Sequence, residues 1–360
     1  MALNLNYDIN KAMERIEDEL IASMINNLKK HVVDETKQGM TWTQWQVEQL
    51  NALLVYQQTN ATRFNRDFSE INKKIEALLR AYYNNGQTAE EARILQAIKQ
   101  GYDANTAVSK GFYIVNNRKI DALVKAVTDD VKTAETAILR QANDVYRQII
   151  YDAMNYVGTG SGTYAKAVDM ATKDMRTAGL QCIQYKNGAK HTLEDYSEMA
   201  LKTGCKRAYL TGEGTKRQEW GIYTVIVNRR SDRGIGGVCG KCAQFAGKVY
   251  IDDVWGEGSK SGISPVTGKK YPLLSDAIKA GLYHPRCRDS HTAYIEGITK
   301  AEPVYTRKEL QQAQRAEAEE QRQQYIKRQA KSWQRQADYA LDAENKAEAQ
   351  ARADAWKQRI

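Results

Sequence analysis

Asp8-Ile9-Asn10-Lys11-Ala12-Met13-Glu14-Arg15-Ile16-Glu17-Asp18-Glu19-Leu20 sets the pattern from which the fold is read. Ile9, Met13, Ile16 and Leu20 fall three or four residues apart with charges between them, and Met24 and Leu28 continue the row. Apolar residues at that spacing share one face of a helix, and that face must be covered. The pattern recurs downstream. A second helix is predicted from about Trp45 to Gln58, and a third carries Phe64, Phe68, Ile71, Ile75, Leu78 and Leu79. Asn84-Asn85-Gly86 is expected to end that third helix. Thr88 then reads as an N-cap, with Glu91 completing a capping box ahead of Ile94, Leu95 and Ile98. Ile120, Leu123, Val127, Val131, Ile138, Val145 and Ile149 predict one or two long helices across 105–155. These stripes suit helices packed on one another in a bundle; a partner's helices could use the same faces.

Composition agrees with a helical chain. Four prolines in 360 residues leave room for long uninterrupted helices. The chain is 42% hydrophobic and 27% charged with a mean hydropathy of -0.65, long enough for two domains and polar enough to be soluble. No apolar run approaches the roughly 20 residues of a membrane-spanning helix. The start, Met1-Ala2-Leu3-Asn4-Leu5-Asn6-Tyr7-Asp8, has neither the basic nor the apolar region of a secretory signal. Five cysteines are too few for a disulfide scaffold, and the odd count suits a reducing compartment.

Gly158-Thr159-Gly160-Ser161-Gly162 reads as a flexible joint. Beyond it, Tyr164 to Ala178 is expected to be helical and closed by Gly179. Leu180–Tyr185, Asn187-Gly188 and His191–Leu193 form a predicted hairpin, and helix returns from Leu193 to Leu210. Tyr223-Thr224-Val225-Ile226-Val227 is the clearest strand, apolar and β-branched enough to be buried on both faces. Residues 231–290 are rich in Gly and hold three of the four prolines. From Thr306 to Ile360 there is no Gly or Pro. As one helix this tail would reach roughly 75–80 Å at about 1.5 Å per residue. Its large apolar residues are too sparse for a coiled-coil seam, so it is either a solvated helix or an arm that docks on assembly. The predicted fold is mainly α: an N-terminal helical bundle (1–157), a small irregular α+β module stapled by zinc (158–300), and a long C-terminal helix (301–360).

The formal net charge of +9 is uneven. Residues 1–200 carry 24 Lys/Arg against 25 Asp/Glu, 201–300 carry 17 against 9, and 301–360 carry 12 against 10. A basic block of this kind attracts polyanions through phosphate contacts that release counterions. Arg229, Arg230, Arg233, Arg286 and Arg288 are the expected contacts to a DNA backbone; ordinary surface arginines are the other reading. No recognition-helix or zinc-finger spacing is present, so such binding would not read base sequence.

Cys239-Gly240-Lys241-Cys242, followed by His284-Pro285-Arg286-Cys287, is the densest chemistry in the chain. Two thiols two residues apart grip one metal from a tight turn, and a His and Cys at i and i+3 supply two more ligands. Cys239, Cys242, His284 and Cys287 are therefore the candidate zinc ligands, with His291 as a substitute. The alternative is four reduced side chains that merely lie near one another. A redox dithiol would need Cys-Gly-Lys-Cys at a strand–helix junction in a βα pattern, which is missing. A phosphate loop fails at Ile235 and Cys242. Asp252-Asp253 would point apart on a strand, and nothing among four histidines compels an enzyme.

Four stretches in order carry a resemblance. They are Tyr164-Ala165-Lys166-Ala167-Val168-Asp169-Met170-Ala171-Thr172-Lys173-Asp174 and Tyr196-Ser197-Glu198-Met199-Ala200-Leu201-Lys202-Thr203. Cys239-Gly240-Lys241-Cys242-Ala243-Gln244-Phe245-Ala246-Gly247-Lys248-Val249-Tyr250 follows, and then Gly281-Leu282-Tyr283-His284-Pro285-Arg286-Cys287-Arg288. The chain resembles the minor capsid proteins of tailed phages, of the minor capsid protein 2 type related to Mu F-like head morphogenesis proteins. It departs from them at Ala246-Gly247, where Gln-Gly is usual, and at Asp289, where many have His. The resemblance implies a low-copy virion protein, made in the host cytoplasm and located at the portal vertex or inner head. It implies help in head assembly and DNA packaging or ejection. The implied partners are the portal protein, the major capsid protein or scaffold, and packaged double-stranded DNA, with no membrane. A head-carried effector enzyme, nuclease or transferase-like, is one alternative. An assembly factor absent from the mature virion is the other.

Overall fold

The computed structural model describes residues 2–38, 42–102, 117–158, 164–184, 188–229, 239–285, 287, 289–301 and 303–360. Helices α1 (Ala2–Gln38), α2 (Trp42–Lys99) and α3 (Arg118–Gly158) come first, and residues 159–163 of the expected joint lie outside the described residues. Next are α4 (Tyr164–Ala171), α5 (Lys173–Ala178), β1 (Gln181–Gln184), β2 (Lys190–Thr192) and α6 (Leu193–Glu219). Then follow β3 (Thr224–Val227), β4 (Val249–Ile251), α7 (Leu274–Lys279), β5 (His291–Ala293), α8 (Arg307–Tyr339) and α9 (Ala343–Lys357). The chain is mainly helical, as its periodicity predicts. Its residues group into two compact units. One comprises Asn4–Lys74, Asp129–Glu198 and Arg322–Ile360; the other comprises Met1–Leu3, Ile75–Thr128 and Met199–Gln321.

In the first unit the predicted stripe is the core: Ile9, Met13, Ile16, Leu20, Met24 and Leu28 are all fully buried. Tyr56, Phe64, Phe68 and Ile71 of α2 and Val131, Ile138, Tyr146 and Ile149 of α3 are buried as well. The Tyr56 hydroxyl donates to the Leu20 carbonyl at 3.1 Å, and its ring meets Tyr146 edge-on at 5.2 Å. Thus the phenol's polar end is satisfied while its ring fills apolar space. β1 and β2 form the predicted antiparallel hairpin. The tail does not run as one helix. It stops after Tyr339, Asp342 caps α9 by accepting from Glu344 N and Asn345 N, and α9 folds back along α8. Trp356 meets Tyr325 edge-on at 5.9 Å, and Arg352 stacks over Trp333 at 4.6 Å. The buried Asp169 carboxylate holds the turn, accepting from Leu341 N at 2.8 Å, Asp342 N at 3.1 Å and Asn345 Nδ2 at 2.9 Å.

In the second unit the chief departure from expectation is at Asn84-Asn85-Gly86. α2 runs straight through it. Thr88 is no N-cap; its hydroxyl donates to the Asn84 carbonyl inside the helix. The glycine has a different use. A Cβ on Gly86 would stand 2.1 Å from the Tyr209 carbonyl oxygen of α6, and one on Gly212 would stand 2.1 Å from that of Tyr83. The two helices cross backbone to backbone at these glycines. β3 is the central strand of the antiparallel sheet β4-β3-β5, and all four of its residues are buried, as its composition predicts.

Candidate metal centre

The first ligand pair lies on a tight turn. Cys242 N and Ala243 N both donate to the Cys239 carbonyl, at 3.1 and 2.9 Å, ahead of a short 3-10 turn at Ala243–Phe245. The second pair lies on another turn, closed by Cys287 N donating to the His284 carbonyl at 2.9 Å. The four ligand atoms of Cys239, Cys242, His284 and Cys287 all lie within 4.8 Å of one another. A zinc–thiolate tetrahedron with bonds of about 2.3 Å has edges of about 3.8 Å, so small side-chain adjustments suffice to close it. His284 Nδ1 lies 2.9 Å from the Pro285 carbonyl, which fixes the proton there and leaves Nε2, 2.9 Å from Cys239 Sγ, as the free lone pair. Cys242 Sγ is 3.3 Å from Cys287 Sγ, and Asp289 N donates to Cys287 Sγ at 3.4 Å.

The cluster borders an apolar core. Cys242 is buried among Val225, Val227, Phe245, Leu274 and Leu282, with Cys239 and Cys287 packed against the same group. Hydrogen bonds from Cys242, and then Cys287, hold the Cys239 thiol far below its usual range. The bond to Cys239 raises the Cys242 thiol and brings Cys287 up to about 12. Burial lowers the His284 pKa, but the bonds to Cys239 and to the Pro285 carbonyl more than offset this and raise it. Three thiols and an imidazole whose donor atoms converge in this way are a set that could hold a metal ion. Glu317 of α8 reaches the turn and accepts from Gly240 N at 2.9 Å; a Cβ on Gly240 would stand 2.8 Å from that carboxylate oxygen.

His291, the suggested substitute ligand, is not among the converging atoms. It belongs to a buried polar network that the sequence did not reveal. Arg217 Nη2 donates to Asp252 Oδ2 at 2.7 Å and to His291 Nε2 at 2.9 Å, and Nη1 lies 3.3 Å from Glu90 Oε1. Arg93 bridges Glu90 at 2.7 Å and Glu213 at 2.6 Å. Asp252 Oδ1 accepts from Val254 N and Trp255 N, and Tyr283 Oη lies 2.9 Å from His291 Nδ1. Burial, and after it the Arg217 charge, push the His291 pKa well below its usual value. Against the effect of burial, the Arg217 charge holds Asp252 below the ordinary carboxylate range. These residue types would serve an acid–base site, yet Arg217, His291, Glu90 and Asp252 have no solvent exposure. The network is a structural clamp on α2, α6 and β5, and the three side chains bonded to Arg217 lie 35 to 127 residues from it in sequence.

Of the five arginines expected to meet DNA, Arg230, Arg233, Arg286 and Arg288 lie outside the described residues. Arg229 is engaged within the protein. It pairs with the Glu309 carboxylate, donates to the Pro303 carbonyl at 3.1 Å and stacks over the Tyr305 ring at 4.4 Å. Lys241, Lys248, Lys260, Lys270 and Lys300 are exposed and form no ion pair among the described residues. No helix among the described residues is long and apolar enough to cross a membrane.

A family model, described as phage minor capsid protein 2, matches residues 4–360. No curated protein and no solved structure matches the chain.

Proposed function

The chain belongs to the phage minor capsid protein 2 family, and on that footing we propose that it is a low-copy structural protein of the phage head that sits at the portal vertex or inner capsid. Its partners in this reading are the portal protein, the major capsid protein or scaffold, and packaged double-stranded DNA. Its work is to assist head assembly and DNA packaging or ejection. The observation that carries the reading is the extent of the family match, which takes in nearly the whole chain.

Residues 158–300 serve in this proposal as the basic module facing DNA, residues 1–157 as the docking part and residues 301–360 as the helical tail. Because Arg229 is held by Glu309 and Tyr305, the phosphate contacts pass to the exposed Lys241, Lys248, Lys260, Lys270 and Lys300. Arg230, Arg233, Arg286 and Arg288 remain proposed contacts. Such binding is independent of sequence and falls steeply with salt; binding that persists unweakened at high salt overturns it.

Zinc is the proposed occupant of the Cys239, Cys242, His284 and Cys287 cluster. Three thiols and an imidazole are the donor set that zinc favours, and four protein ligands leave no open position for catalysis. The metal's contribution is to cross-link two turns.

Quantitative mass spectrometry of purified, DNase-treated virions tests the main reading. A few copies per particle, fixed relative to the portal protein, support it. Presence in procapsids alone replaces it with an assembly-factor role, and absence from both rejects a head role.

A further inference from the structure

Tyr283 has a φ of 56°, a left-handed backbone at a bulky aromatic residue. That conformation is disfavoured and persists only where the surroundings hold it. The contacts that hold Tyr283 are clear. Its hydroxyl lies 2.9 Å from His291 Nδ1, and its ring meets Trp255 edge-on at 5.7 Å. His291 is itself fully buried and bonded to Arg217, which is fixed by Asp252 and Glu90.

The residue after Tyr283 is His284, and Cys287 follows three further on. His284 sets its own ring by bonding to the adjacent Pro285 carbonyl, and Cys287 receives the Asp289 amide. Those bonds orient side chains within the segment. The left-handed backbone at Tyr283 stands at the entry to that segment.

We propose that Tyr283 is the positioning residue of the metal centre. Its bond to His291 locks the chain reversal that carries His284 and Cys287 to Cys239 and Cys242, so the buried network around Arg217 sets the affinity for a thiophilic divalent cation. The inference rests on the reading of those four residues as metal ligands. Partners of this kind, one step behind the ligands, commonly change metal affinity 10- to 100-fold.

The test uses the full chain, zinc as the probe, and competition against a chelating dye. Tyr283→Phe removes only the hydroxyl. His291→Gln keeps a polar partner for Arg217 and removes the ring nitrogen facing Tyr283. Both are expected to bind zinc about 10- to 100-fold more weakly than the parent chain, with the double variant no weaker than the worse single. Cobalt substitution gives a second readout: the visible absorption of the bound ion should shift in both variants. Circular dichroism shows which variants fold, and His291→Gln carries the test alone if Tyr283→Phe does not. Cys242→Ser separates the two claims. If the parent chain binds no zinc, the ligand reading falls and this inference with it. If the parent binds, Cys242→Ser loses zinc, and Tyr283→Phe and His291→Gln match the parent in affinity and cobalt spectrum, only the role of Tyr283 is overturned.

Discussion

Arg217 donates a hydrogen bond to Nε2 of His291 at 2.9 Å. A guanidinium donates only, so that nitrogen bears no proton and the ring is the neutral tautomer with its proton on Nδ1, toward Tyr283. A histidine that the sequence offers as a spare metal ligand is instead the link between a buried arginine and Tyr283, the residue before His284.

Arg217→Met leaves the Glu90 and Asp252 carboxylates without their shared buried partner. A loss of about 3–5 kcal/mol is expected, measured by urea unfolding. Adding Asp252→Asn should recover part of it, because one of the stranded charges is then gone. A neutral effect of Arg217→Met would show that the network carries no stability.

Gly86→Ala distinguishes a helix-crossing glycine from a helix-ending one. At an open helical site the change would stabilise by roughly 0.8–1.0 kcal/mol. Here the new methyl meets the Tyr209 carbonyl, so overpacking prevails and a loss of about 1–3 kcal/mol is expected, with the same sign for Gly212→Ala. Thermal unfolding of the two variants reads the sign directly.

Zinc content by elemental analysis should be one per chain. Stripping it with a chelator should lower the melting temperature by about 10 °C, because structural zinc contributes folding energy outright. Amide exchange should rise first around Cys239–Gly247 and Leu282–Asp289. Cys242→Ser, at the most buried thiol, should reproduce the effect without chelator.

The Glu17 carboxyl predicts a pH dependence. Burial raises its pKa to about 7, against the pull of Arg335 and the Leu180 amide. The folded state therefore holds a proton that the unfolded chain releases above about 4.5. Stability from this group is full below that pH and is lost as pH rises through 7, with a limit of about 3 kcal/mol. Glu135, raised by burial to about 7 beside Asn72, acts in the same direction. Glu17→Gln should flatten much of the slope in unfolding free energy between pH 5 and 8, leaving the Glu135 share.

The parts of the structure legible in the sequence are those whose signal is local and periodic. Ile9 to Leu28 reads as one buried face, Thr224–Val227 as a strand covered on both sides, and the two Cys/His turns as a pair whose donor atoms converge. The parts missed are those set by what lies opposite. Gly86 looks like a stop signal until α6 is seen to need its missing side chain. Nothing in the sequence around Arg217, Asp252 and Glu90 marks them as buried. The tail looks continuous because the residue that turns it, Asp169, lies more than 170 positions upstream.

Lys331 donates to Glu14 at 2.8 Å and to Glu194 at 2.5 Å, and Tyr339 reaches the Asp18 carbonyl. The contacts to Glu14 and Asp18 bridge more than 300 positions of the chain, and they bear on how the protein is born. A ribosome releases α1 long before α8 exists, so Glu14 must wait for Lys331 and the Asp18 carbonyl for Tyr339. Only when residues 331–339 have left the exit tunnel can that unit close. A polypeptide interrupted before that point would leave the Glu14 carboxylate and the Asp18 carbonyl without these partners from α8, and would display that part of α1 to quality-control proteases.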